Sequence, residues 1–317
     1  MGEFELIARH FRRPQGKARV GIGDDCAIHA PPSGCELAIS TDMLVAGRHF
    51  FADVPASDLG HKALAVNLSD LAACGARPEV FTLSLGLPRA DDAWLIGFCQ
   101  GMFALADQHQ CVLIGGDTVK SEVIVINITV IGSVPTGRAV LRSGARVGDE
   151  IWVSGAVGEA ALGLACLQGT VQLDEVGRAQ CIARLQTPTP RCALGISLRG
   201  IASAMIDLSD GLAGDLQHVL AASNVAAHVD LARLPMAPVV LAQGQQAAWQ
   251  LACAGGDDYE LLFCAAPAQH EKIVRLAAEQ GLALTCVGTV MAGPPQIHWF
   301  EGELPVSPNF HGHDHFA

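Results

Sequence analysis

Two nucleotide-binding fingerprints are missing from this sequence. It contains no Gly-x-x-x-x-Gly-Lys-Ser/Thr, which excludes a P-loop, and no Gly-x-Gly-x-x-Gly follows a strand-like run, which leaves a dinucleotide site without support. Cys-x-x-Cys is absent as well, although the chain has 11 cysteines. Most of them, Cys99, Cys166 and Cys264 included, sit in apolar contexts. They read as small buried hydrophobes in a reducing compartment, not as a disulfide framework or a zinc site. No apolar run reaches membrane-spanning length, and the opening MGEFELIARHF is amphipathic and contains acids where a signal peptide would be apolar. A cytoplasmic protein with no membrane partner is expected. Positive charge is scarce: 20 Lys+Arg face 32 Asp+Glu, a formal charge of -12. Such a surface repels nucleic acid and anionic membrane, and an anionic ligand would need metal ions to bridge it to the protein. No Ser–His–Asp or Cys–His arrangement can be read from the spacing.

What the sequence does have is a core and a recurring acidic pattern. Its 317 residues are half hydrophobic, enough for two domains. Apolar runs end repeatedly in carboxylates set beside glycine or a short polar residue. The clusters are Gly23-Asp24-Asp25, Ser40-Thr41-Asp42, Ser69-Asp70, Gly115-Gly116-Asp117-Thr118, Asp207-Leu208-Ser209-Asp210-Gly211 and Gly255-Gly256-Asp257-Asp258. Carboxylates that converged bare would repel one another, and divalent cations are the simplest relief.

Strands are expected at 36–41, 80–87, 111–115 and 122–134, with a helix between the first two that Ser57 caps and Gly75 ends, and a second helix over 91–108. A seam at Pro135-Thr136-Gly137-Arg138 divides residues 1–137 from 138–317. Beyond it, strands are expected within ARVGDEIWVSG, in AMIDLSDG before Leu212, and at 226–231, 259–265, 284–290 and 296–300. Helices are expected at 158–168, 191–199, from Leu212 and over 268–280. Both halves are therefore mixed α/β, and two such domains meeting at a cleft is the simplest architecture. NLSDLAA echoes DLSDGLA, and LIGGDT echoes CAGGDDY, but shared local chemistry explains this as readily as duplication.

Asp70 is the sharpest case. It shares a helix face with Asn67 and Cys74 in an otherwise apolar segment, where an Asp is helix-unfavourable and needs a partner. Asp42 follows the run LAIS, with Ser40 and Thr41 as neighbouring oxygen donors. Singly, each of these residues also suits a cap or turn. Their recurrence beside glycine in both halves favours cation ligation. Paired glycines at 115–116 let backbone approach a ligand closely. Arg142 could face a polyphosphate, although spacing alone suits an ordinary surface arginine. His311, His313 and His315 alternate in a tail where such histidines are more often incidental.

Together, GEFELIARHF, GIGDDCA, LAISTDMLVAGRHF, HKALAVNLSDLAACGA, LIGGDT, GRAVLRSGA, IDLSDGL, GGDDYEL and HDHF run through nearly the whole chain. They resemble the thiamine-monophosphate kinase family of the aminoimidazole-ribonucleotide synthetase-like superfamily. The resemblance implies a mixed α/β, two-domain fold: an N-terminal metal- and ATP-binding domain whose sheet pairs across a homodimer, and a C-terminal domain completing the ATP and substrate cleft. By motif it implies Mg²⁺ ligation, several ions in all, at Asp25, Asp42, Asp70, Asp117, Asp207 and Asp210, with Ser40 and Thr41 as supporting donors. It implies ATP contacts at Gly116, Asp117, Arg142 and Ser209, and thiamine monophosphate contacts at His49, Asp257 and Phe310. Asp257 stands where the family commonly has Glu, and Phe310 where it commonly has Trp; both changes keep the chemical character.

The implied reaction transfers phosphate from ATP to thiamine monophosphate. A phosphate monoester has its second pKa at about 6 and is already anionic at neutral pH, so no general base is required. Rival readings are other members of the superfamily, namely a purine-synthesis ligase, selenophosphate synthetase and the hydrogenase carbamoyl-dehydration protein, or a non-catalytic Mg-nucleotide-binding protein. GRHF and GGDDYEL argue against the ligase, the surroundings of Cys26 against selenophosphate synthesis, and the ending Asp314-His315-Phe316-Ala317 against a terminal reactive cysteine. The complete Asp set argues against lost catalysis.

Overall fold

A computed structural model describes residues 2–13, 16 and 18–310. The histidines at 311, 313 and 315 and the HDHF ending lie outside the described residues. The chain divides into two compact units. One runs up to Leu71 and resumes over Ala76–Gly137; the other comprises Ala72–Gly75 and the chain from Arg138 onward.

The first unit opens with a short helix α1 (Glu3–Leu6), which widens into a π-helical turn over Ile7–Phe11. Four strands follow, β1 (Cys35–Val45), β2 (Arg77–Leu87), β3 (Val112–Lys120) and β4 (Val125–Pro135), with helices α2 (Ala56–Ala73) and α3 (Asp92–Gln108) between them. The sheet order is β1-β4-β2-β3. The β2–β3 pair is parallel and the other two are antiparallel. β4 is rich in Val and Ile, alternates buried with half-buried residues, and takes an inner position. At the end of α2, Gly75 N–H bonds Ala72 C=O at 2.9 Å and Ala76 N–H bonds Leu71 C=O at 2.8 Å, a Schellman ending that Gly75 closes at φ +66. The expected cap at the other end is corrected. The helix begins at Ala56, with Leu59 N–H bonding Pro55 C=O, so Ser57 lies inside the first turn.

The second unit holds β5 (Glu150–Ser154), β6 (Ala202–Asp207), β7 (Ala226–Asp230), β8 (Leu261–Ala265), β9 (Leu284–Met291), β10 (Ile297–Glu301) and β11 (Leu304–Val306). They form one seven-stranded sheet in the order β11-β10-β7-β9-β5-β8-β6. Helices α4 (Glu159–Leu167), α5 (Glu175–Gln186), α6 (Cys192–Ser197), α7 (Leu212–Ser223), α8 (Pro238–Leu241), α9 (Gln245–Ala254) and α10 (His270–Gln280) complete it. Leu212, Leu216, Val219 and Leu220 place one face of α7 in a core shared with Ile206, Leu262 and Val287. Among the described residues no helix is long and apolar enough to cross a membrane.

Two strand ends differ from expectation in a way that matters for the site. β1 continues to Val45, so Asp42 lies within a strand paired to β4 and not after it. β3 likewise continues through Gly115, Gly116 and Asp117 to Lys120, paired with Thr82, Leu83 and Ser84 of β2 after a bulge at Phe81/Thr82. Backbone pairing with a neighbouring strand overrides the turn preference of Gly and Asp in both places.

Candidate functional site

In the first unit, β1 presents Ser40 and Asp42 toward α2. The Ser40 hydroxyl donates to Asp70 Oδ2, and the Asp42 N–H donates to Asn67 Oδ1 at 3.0 Å. Asn67 is 1% exposed, and its amide also donates to Ala63 C=O at 3.0 Å, one turn earlier on α2. The shared face of Asn67 and Asp70 is thus the face turned to β1, and Asp70 is half-buried. Thr41 alternates to the other side of the strand. Its hydroxyl donates to Ile128 C=O and accepts from Asn127 and Thr129 at 3.1 and 3.0 Å. The structure therefore joins the Ser40 hydroxyl to Asp70 and the Asp42 backbone to Asn67, and separates the Thr41 side chain from them. His49, in the turn after β1, accepts the Val45 N–H on Nδ1 at 3.0 Å.

Asp25, Gly116 and Asp117 line a second place in the same unit, a pocket of about 740 Å³ walled by Ile7, Phe11 and the Gly21–Asp25 loop. Gly116 adopts φ +153, and a Cβ there would lie 1.8 Å from the Leu83 carbonyl oxygen. Only glycine lets β3 pass β2 this closely. Asp117 is exposed and accepts the Thr118 N–H at 2.9 Å.

In the second unit, the segment after β6 is tied to the segment before β8. Leu208 N–H bonds Glu260 C=O at 2.9 Å, Tyr259 N–H bonds Leu208 C=O at 2.8 Å, and Asp257 N–H bonds Ser209 C=O at 2.8 Å. Asp257 and Tyr259 hold positive φ, +62 and +50, a conformation that only a well-determined surrounding retains in residues other than glycine. Asp207, Ser209, Asp210 and Asp257 are thereby gathered in one loop pair. Arg142 belongs to the same neighbourhood: its charge pulls the Asp215 carboxyl downward. Phe310 packs against the core of this unit, edge-on to Trp299 with ring centroids 5.1 Å apart.

Three buried carboxylates lie near these loops: Asp258, which the sequence marked only as part of an acidic cluster, and Asp215 and Glu260, which it did not single out. Asp215, 2% exposed, accepts the Asp210 N–H at 3.1 Å; burial first, then Asp207 and Asp210, push its carboxyl up to about 8. Asp258 accepts the Gly158 N–H on both oxygens at 3.0 Å. Glu260 is wholly buried, accepting Ser154 Oγ at 2.6 Å, Arg184 at 2.8 Å and Arg191 Nε at 2.7 Å. The paired arginines and hydroxyl account for this charge as an anchor of β8.

Burial pushes the Asp258 carboxyl up to about 8, against the opposing pull of the Gly158 N–H and Arg184. The folded protein then holds a proton here that the unfolded chain, with the ordinary value of 3.8, releases. The contribution to stability is full below the unfolded value and is lost as pH rises through the folded one. Asp258→Asn removes that dependence. The melting temperature of the metal-free variant should fall less than wild type between about pH 5 and about pH 8, by a few degrees, at the usual ~2–4 °C per kcal/mol. Parallel melting curves across that range would contradict the assignment.

The donors gathered here are oxygens throughout: carboxylates, the Ser40 hydroxyl and the Asn67 amide carbonyl. That chemistry suits a hard cation such as Mg²⁺, which takes few carboxylates and keeps several waters. Among the described residues no three His, Cys, Asp or Glu side chains gather closely enough to hold one ion.

Comparison with known proteins matches the first unit, over residues 23–134, to the family described as AIR synthase related protein, N-terminal domain, and residues 146–299 to its C-terminal domain. The chain is similar to thiamine-monophosphate kinase of Salmonella typhimurium, 44% identical over 323 residues that cover 100% of this chain and 98% of the relative. The crystal structure of thiamine-monophosphate kinase from Stenotrophomonas maltophilia K279a superposes with a TM-score of 0.85 at 43% identity, covering 93% of this chain and 94% of that one. The structure of AaThiL complexed with AMPPCP and TMP gives a TM-score of 0.79 at 27% identity, covering 99% and 97%.

Proposed function

This chain belongs to the thiamine-monophosphate kinases, within the AIR synthase related proteins, and from that membership we propose that it transfers the γ-phosphate of ATP to thiamine monophosphate, giving ADP and thiamine diphosphate. The observation that carries this reading is identity of 44% sustained over 100% of the chain. The gathered carboxylates in both units agree with it.

Phosphoryl transfer between two polyanions asks little of a protein beyond position and charge. Asp25, Asp42, Asp70, Asp117, Asp207 and Asp210 would hold Mg²⁺, which when bound would neutralise the phosphates and align the attacking and leaving oxygens. The residues do the rest. Asn67 and Ser40 fix the orientation of β1 and of the Asp70 carboxylate. Gly116 admits a nucleotide phosphate close to the backbone. Arg142 and Ser209, in the second unit, are the other proposed nucleotide contacts. Asp257 meets the thiazolium charge of the acceptor, Phe310 offers a ring face to thiamine, and His49 serves the same substrate. No proton is taken from the nucleophile, because a monoester with its second pKa at about 6 attacks as the anion.

A homodimer paired through this sheet is part of the same proposal. β1 and β3 are the two edges of their sheet, with β4 and β2 between them. A second copy laid along the sheet brings the edges of two chains together. Leu37, Ile39 and Met43, exposed at 41%, 63% and 53% on the face away from α2, give it an apolar surface to cover. The cytoplasm is the proposed compartment: no disulfide forms among the described cysteines, which suits a reducing environment.

Replacing thiamine monophosphate with thiamine tests the nature of the acceptor. Thiamine, which carries no phosphate, should give no ADP; equal ADP formation from both would overturn the reading.

A further inference from the structure

We propose that Asp215 is a positioning residue that fixes the Asp207–Asp210 loop for Mg-nucleotide binding. The inference rests on the reading that Asp207 and Asp210 serve the metal-bound nucleotide. Asp215 lies in the first turn of α7, on the same face as Leu212, Leu216 and Val219, which are buried in the core. A carboxyl at 2% exposure on that apolar face costs desolvation free energy unless it does something the fold needs. Its Oδ2 accepts the Asp210 N–H at 3.1 Å, while its own N–H bonds Gly211 C=O at 3.0 Å.

That bond completes the pinning of the loop. Leu208 is held through both its N–H and its C=O, Ser209 through its C=O, and Asp210 through its N–H to Asp215. The other anchors named here come from the segment before β8, whereas Asp215 acts from α7. With the backbone fixed on both sides, the Asp207 and Asp210 carboxylates leave the loop in set directions and need no ordering when a cation binds. Outer partners of this kind typically change metal affinity by about 10–100-fold.

The test uses two variants and one measurement on the wild-type chain. Asp215→Asn keeps an acceptor for the Asp210 N–H, whereas Asp215→Leu keeps the volume and removes the acceptor. Calorimetric titration of the full chain with AMPPCP at fixed Mg²⁺, without any acceptor, should show Asp215→Leu weakened about tenfold or more and Asp215→Asn within about threefold of wild type. Equal affinities for Asp215→Leu and wild type would overturn the proposal. So would an Asp215→Asn variant as weak as Asp215→Leu, since charge and not the hydrogen bond would then be responsible. Should Asp215→Leu not fold, amide exchange of wild-type Asp210 decides: slow exchange supports the bond, and exchange at an open-loop rate overturns the proposal. Because no thiamine monophosphate is present, a wild-type chain that binds Mg-AMPPCP but fails to phosphorylate that acceptor would defeat the functional reading alone.

Discussion

Asp70→Asn should lower kcat by about a thousandfold while leaving the fold intact. Asn retains an oxygen that accepts the Ser40 hydroxyl, so the link between β1 and α2 survives. What it removes is the anionic oxygen. Loss of charge stabilisation worth about 4 kcal/mol corresponds to about three orders of magnitude in rate. Raising Mg²⁺ should recover part of the activity, because a weakened site still fills by mass action. Circular dichroism and melting temperature close to wild type, beside the collapsed kcat, would assign the loss to chemistry. Wild-type kinetics in this variant would remove Asp70 from the site.

The second large effect is expected at Gly116. Gly116→Ala places a Cβ at 1.8 Å from the Leu83 carbonyl oxygen, and at φ +153 the backbone itself resists a side chain. Neither conflict relaxes cheaply, since the obstacle is the backbone of an inner strand. A destabilisation of about 3 kcal/mol or more follows, with loss of ATP binding in whatever folds. Gly115→Ala is the control one residue away. Its nearest neighbour is Thr82 Cγ2 at 3.9 Å, an ordinary contact, so its stability should stay within about 1 kcal/mol of wild type. Comparable chemical denaturation midpoints for the two variants would contradict the strand-crossing account.

Particular residues show what the sequence could reveal. The alternation of strands and helices was legible because hydrophobic periodicity reports burial directly, and β4 and α3 fall close to their expected bounds. The strand ends at Asp42 and Asp117 were not. Gly and Asp signal a turn locally, but pairing with β4 and β2 carries β1 and β3 through them. Helices α5 and α9 went unassigned; α9, GlnGlnAlaAlaTrpGlnLeuAlaCysAla, offers no clean apolar stripe. Spacing on α2 anticipated that Asn67 and Asp70 share a face, but not that this face meets Ser40 and the Asp42 backbone, and Cys74, expected on the same face, lies beyond the end of the helix. Thr41 could not be separated from its neighbours until the strand was known to continue, since only then does it alternate to the opposite face. Asp215 had a usable signal that went unread. It lies three residues after Leu212 and one before Leu216, on an apolar helical stripe, the same anomaly that singled out Asp70. Asp258 was marked only as part of an acidic cluster and Glu260 not at all, because their burial follows from contacts with Gly158, Arg184 and Arg191, far away in sequence.

The most direct test of the central claim is product analysis of the purified chain incubated with ATP, Mg²⁺ and thiamine monophosphate, with each component omitted in turn. ADP and thiamine diphosphate in equal amounts, from the complete mixture only, is the predicted result. Absence of thiamine diphosphate from protein that still binds Mg-ATP would contradict the assignment of thiamine monophosphate as the acceptor.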